Sequence, residues 1–103
     1  MHTQQTALAR VRQFAAEVRH FGPLRQVVLF GSYARGEQHE WSDIDVALVA
    51  DHFIDTGFLD IRPFATLCGQ YADIEPHPFS TRRFDSGDSS LAEEIKRTGI
   101  VVA

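Results

Sequence analysis

One cysteine in 103 residues leaves no internal disulfide to form. Cys68 stands among apolar neighbours and reads as a buried, inert thiol. No apolar run approaches the ~18 residues of a membrane span, and the first residues lack the apolar stretch of a signal peptide. A soluble, cytoplasmic chain with no membrane contact is therefore expected. Basic residues are also few: 10 Lys and Arg against 14 Asp and Glu give a net charge of −4. That balance does not make a nucleic-acid-binding surface, which normally carries a basic stripe, although Arg82 and Arg83 form a local basic spot. Neither an internal repeat nor a low-complexity linker interrupts the chain. What is present is 44% apolar residues, eight Phe among them, enough for one core in a small domain.

Apolar residues at three- and four-residue spacing (Ala7, Leu8, Val11, Phe14, Ala15, Val18) predict an amphipathic helix over 4–20, stopped by Phe21-Gly22-Pro23. Val27 to Phe30 predicts a buried strand running straight into Gly31-Ser32, and 44–49 predicts a second strand. Asp51 to Gly57 reads as a loop. Residues 58–70 keep helical spacing through Phe58, Leu59, Ile61, Phe64, Leu67 and Cys68, but Pro63 must then lie in a first turn. Residues 73–78 predict a third strand, at a sheet edge because Pro76 and Pro78 cannot donate ladder hydrogen bonds. Ser90-Leu91-Ala92-Glu93 matches a capping box for a last helix, supported by a Glu93–Arg97 pair and ended by Gly99. Ile100-Val101-Val102 predicts a small closing strand. The order of elements implies a compact α/β (α+β) domain with a small mixed or antiparallel sheet.

The stretch GSYARGEQHEWSDID, residues 31–45, concentrates the chemistry. Side chains i and i+2 of a strand share a face, so Asp43 and Asp45 point together and Ile44 turns inward. Two such carboxylates repel unless a cation lies between them, and all-oxygen ligands suit Mg²⁺, which leaves positions for water and phosphate oxygens. Gly31 permits close backbone approach to a ligand, and Ser32 starts a short helix whose free N–H groups suit an anion. Arg35 adds a cation, and Gly36 ends that helix. A phosphate cradle and a metal site within fifteen residues suggest nucleoside triphosphate chemistry. Taken singly, each piece has a plain structural reading: a solvated strand end, a turn, a surface arginine. Their joint spacing between two apolar strands carries the weight.

That spacing, GSx₁₀DxD from Gly31-Ser32 to Asp43-x-Asp45, resembles the signature of the DNA polymerase β-like nucleotidyltransferase superfamily. GSYARG and SDIDVALV further resemble its minimal nucleotidyltransferases, the MNT antitoxin group; the motifs lie within 25–50, and the resemblance implies one nucleotidyltransferase domain over the whole chain, 1–103. The resemblance implies that Asp43 and Asp45 hold Mg²⁺, two ions once ATP is bound, with the triphosphate on Gly31 and Ser32. It also implies a third acid on the next central strand. Asp73 and Glu75 are both candidates by the period-two rule; counting back from Ser80-Thr81-Arg82-Arg83-Phe84 favours Glu75, with Asp73 as the alternative. Members usually pair with a HEPN-domain toxin, and some transfer AMP from ATP to a tyrosine of that partner. Here the partner is expected to supply the acceptor.

A binding-only antitoxin, catalytically weak or inactive, is the rival reading. A small-molecule nucleotidyltransferase would carry an added helical domain, and a polymerase fragment fails on charge and size. An edge strand and apolar helix face suit a dimer or a mixed complex. Trp41 is an adenine contact, a partner contact or simple packing, and packing is the reading taken. His77, between two prolines, either faces the site or is structural or merely exposed, and the second is the reading taken for a histidine on an edge strand. His2, His20 and His52 have no metal-ligand spacing.

Overall fold

The computed structural model describes residues 2–103. Thr3 opens helix α1 (Gln4–Val18) by exchanging hydrogen bonds with Thr6: each side chain takes the other's backbone N–H. The helix buries Ala7, Val11, Phe14, Ala15 and Val18, the face that the apolar spacing predicts. A 3-10 turn over Arg19–Phe21 completes it before Gly22. Strand β1 (Gln26–Phe30), helix α2 (Ser32–Arg35) and strand β2 (Ile44–Ala50) follow. Strand β3 (Ile74–Ser80) leads into α5 (Thr81–Asp85) and α6 (Ser90–Thr98), and β4 (Ile100–Val101) closes the chain.

Between β2 and β3 the expected single helix is broken. It becomes α3 (Phe58–Ile61), a 3-10 turn over Arg62–Phe64 and α4 (Ala65–Gln70). Pro63 falls in the first turn of the 3-10 segment, where its missing N–H is harmless and the α-helical ladder is already interrupted. Phe64 and Leu67 are buried, whereas Phe58 is 73% exposed and Leu59 is also exposed, so the apolar spacing overstated this segment's inner face. Cys68 is half-buried rather than buried, and burial pushes its thiol pKa up. At α6 the cap is one residue earlier than expected: Ser89, not Ser90, accepts the Ala92 N–H. Glu93 pairs with Lys96 at 2.9 Å in place of the expected Arg97. Helix α5, which the pattern did not announce as an element, is capped by Ser80 through the Arg83 N–H.

The sheet is mixed, in the order β3-β2-β1-β4. β1 is antiparallel to β2 and to β4, and β3 runs parallel to β2 at the expected edge. Parallel pairing requires a crossover, which α3 and α4 provide. Both faces of the sheet are covered. Val27, Leu29, Val46 and Leu48 join the α1 side chains in one apolar cluster, and Val28, Ala47, Val49 and Phe79 pack against Phe84, Ala92 and Ile95 in another. β2 is therefore apolar along nearly its whole length, as a strand buried on both faces must be. Asp45 is the exception.

Candidate active site

Asp45 belongs to the same face of β2 as Ala47 and Val49, the face that α5 and α6 cover further along. At its own end the cover stops, and its side chain is 27% exposed. In the sheet register Asp45 is the partner of Phe30 on one side and of Glu75 on the other. Glu75, His77 and Phe79 alternate along β3 onto that same face. The result is a convergence of three polar groups at the mouth of the second core. Donor atoms of Asp45, Glu75 and His77 all lie within 4.8 Å of one another. His77 Nε2 is 3.4 Å from Asp45 Oδ1 and 3.5 Å from Glu75 Oε1. Among the described residues no Lys or Arg forms an ion pair with either carboxylate.

Gly31 closes the site from behind. Its backbone, at φ 74° and ψ −152°, occupies a region open essentially to glycine alone. A Cβ there would collide with the Asp45 carboxylate. The glycine-serine turn and the first acid of β2 are thus in direct apposition, which the GSx₁₀DxD spacing implied without showing. α2 starts at Ser32 and ends at Gly36, whose φ of 69° is the left-handed stop expected of it. Arg35 on α2 is exposed, and its guanidinium is bound to Glu37 at 3.2 Å. Asp43 lies one residue ahead of β2, exposed, and is not one of the converging donors.

The two candidates for the third acid separate sharply. Asp73 lies just ahead of β3, where its carboxylate accepts from Arg10 Nε and Nη2 and contacts His2 Nε2 at 2.8 Å. Desolvation pulls its pKa up, but the hydrogen bonds from Arg10 and His2 outweigh it and hold the group below the usual aspartate value. Glu75 has no such guanidinium and faces Asp45 directly. His77, for which the sequence reading preferred a structural or exposed place to one facing the site, lies with these two acids. Its signal was available, since it follows Glu75 by two on a strand. Trp41 corrects another expectation: it is 83% exposed in the turn before Asp43, so it does not pack.

Two carboxylates and an imidazole, with no competing basic side chain among the described residues and a turn that only glycine can make behind them, form a donor set that fits a divalent cation. An apolar pocket lined by Val18, Leu24, Phe53 and Phe64 among others lies toward the opposite end of β2 and has no part in this chemistry.

A Methanocaldococcus jannaschii protein named "Putative protein adenylyltransferase" is 46% identical over 37 residues, a stretch that spans 36% of this chain and 37% of that protein. Among solved structures, a "putative nucleotidyltransferase" from Sulfolobus solfataricus superposes with a TM-score of 0.69 at 20% identity, over 95% of this chain and 80% of that one. A toxin–antitoxin crystallised with AMP-PNP gives 0.66 at 23% identity, over 93% and 72% of the two chains. A "putative minimal nucleotidyltransferase" gives 0.59 at 29% identity, over 96% and 95%. These likenesses bear out the fold and the resemblance read from the Gly-Ser and Asp-x-Asp spacing. The nucleotidyltransferase domain model matches residues 11–98, and the chain belongs to that family.

Proposed function

We propose that this chain is a metal-dependent nucleotidyltransferase, the antitoxin of a HEPN/MNT pair, which transfers AMP from ATP to a tyrosine of its HEPN partner. The observation that carries the reading is the register that sets Glu75 opposite Asp45, with Gly31 against the Asp45 carboxylate. Likeness to a toxin–antitoxin that was crystallised with AMP-PNP, and to a protein named as an adenylyltransferase, supports the acceptor class and the nucleotide.

In this reading Asp45 and Glu75 would hold the cation, with Asp43 at the rim as a further carboxylate ligand. A divalent ion such as Mg²⁺ supplies charge neutralisation for the triphosphate and the leaving pyrophosphate. Gly31 and Ser32 cradle the triphosphate with backbone N–H groups and the serine hydroxyl. Arg35 leaves Glu37 for a phosphate oxygen. The tyrosine oxygen bonds to the α-phosphorus, the α–β phosphoanhydride bond breaks, pyrophosphate departs, and the hydroxyl proton passes to Glu75. Most of the acceleration comes from positioning and from charge placed where it develops.

The position of Asp43 outside the donor cluster favours one rival, an antitoxin that neutralises by binding alone. Incubation with ATP, Mg²⁺ and a HEPN-domain partner protein, followed by intact-mass measurement, separates the two. Transfer adds the mass of AMP to the partner, and replacing its acceptor tyrosine by Phe abolishes the gain. A partner that is inhibited one-to-one with no change in mass overturns the enzyme reading.

A further inference from the structure

Glu75 and His77 each precede a proline, Pro76 and Pro78. A residue before proline is confined to extended backbone, so both side chains project from a stretch with little freedom to rearrange. The His77 ring packs against Phe30 in a T-shaped pair, 5.0 Å between centroids and 65° between planes, which restricts its swing. Its Nε2 then faces two carboxylates at 3.4 and 3.5 Å, long for hydrogen bonds, whose N–H···O distances run about 2.7–3.2 Å. Two ligands about 2.1 Å from a shared ion stand about 3.0 Å apart at a right angle and about 3.4 Å apart at the tetrahedral angle. The two His77 spacings match ligands around an ion better than partners in a hydrogen bond, and with all three donor atoms within 4.8 Å of one another a small inward shift of the carboxylates completes the set.

We propose that Asp45, Glu75 and His77 form a mixed nitrogen–oxygen site that takes a first-row transition dication of the Co²⁺ or Zn²⁺ kind in preference to Mg²⁺. Imidazole suits these ions, whereas Mg²⁺ prefers an all-oxygen shell and gives up its water reluctantly. An arrangement of carboxylates alone, which the GSx₁₀DxD spacing suggests, carries no such preference. This preference rests on the functional reading above only in that both need a divalent ion at Asp45.

Calorimetric titration of the nucleotide-free full chain with Co²⁺, Zn²⁺ and Mg²⁺ tests it, with the visible absorption of bound Co²⁺ reporting nitrogen ligation. Co²⁺ and Zn²⁺ bind at least tenfold more tightly than Mg²⁺. His77→Gln weakens Co²⁺ at least tenfold, and His20→Gln, on the distant 3-10 turn, leaves it unchanged. His77→Asp, which substitutes oxygen for nitrogen, shifts the preference back toward Mg²⁺ and guards against a His77→Gln that fails to fold. Equal affinity for Co²⁺ and Mg²⁺, or His77 variants that keep wild-type Co²⁺ binding, overturns the site. AMP transfer that is absent while the Co²⁺ preference persists counts against the functional reading and leaves this site standing; transfer that persists with no Co²⁺ preference does the reverse.

Discussion

Asp73 and Glu75 stand two residues apart where the chain enters β3, yet one is tied into the fold and the other is left open. Asp73 is held by Arg10 of α1, whose guanidinium also lies over the Tyr71 ring at 4.2 Å, and the Tyr71 hydroxyl donates to Glu17 of the same helix. The hydrogen bond to Glu17 pushes the Tyr71 pKa up, so the phenol stays a donor. This region fastens α1 to the start of β3. Among the described residues Glu75 has only His77 as an ionic partner, and it meets Asp45 across the strand pair. An acid already neutralised by a guanidinium is spent on structure, and an acid left beside another acid is available to a cation. The contrast assigns stability to Asp73, which is tied to α1, and chemistry to Glu75, which faces Asp45.

The largest effect expected is on the open side. Asp45→Asn should slow AMP transfer on the order of 10²–10³-fold, because it removes charge complementary to what develops in the transition state. The melting temperature should change little, as measured by circular dichroism. Gly31→Ala comes next. It forces a side chain into a glycine-only backbone region and against the Asp45 carboxylate, and should cost about 1–3 kcal/mol in urea unfolding while also lowering transfer.

On the closed side the effect is smaller and falls on stability. Asp73→Asn should cost about 1 kcal/mol, a modest figure because the pair is part-exposed. Its pH dependence has a definite sign. A carboxyl whose folded pKa is lowered contributes stability above the ordinary aspartate value of about 3.9 and loses it as pH falls through the folded value. The difference between wild type and Asp73→Asn in urea titrations should therefore shrink on acidification through that range. Trp41→Ala should have the smallest effect on folding, within about 0.5 kcal/mol, since the ring is exposed. A larger loss would mean that the indole packs after all.

Much of the fold and of the Gly-Ser turn was legible in the sequence, and the reasons are local. Gly31-Ser32, the Ser32–Arg35 helix and its Gly36 stop were readable because backbone freedom and helix termination are set by single residues. The three main strands were readable because each is a short apolar or alternating run between turn signals. What could not be read is set by tertiary partners. Period two places Asp73 and Glu75 alike, and only the position of Arg10, 63 residues earlier, separates their roles. That His77 shares a face with Glu75 was readable from period two, but that this face meets Asp45 depends on the register of β3 with β2, which no local signal specifies. The break at Pro63 and the exposure of Phe58 and Leu59 likewise depend on how the crossover packs.

Parallel measurement of AMP transfer by Glu75→Gln and Asp73→Asn tests the assignment most directly. The predicted result is a loss of about 10²-fold or more in Glu75→Gln at unchanged stability, with Asp73→Asn transferring within about threefold of wild type while unfolding at lower urea. Silence of Asp73→Asn beside an active Glu75→Gln would contradict it, and would make Asp73 the third acid despite its bond to Arg10.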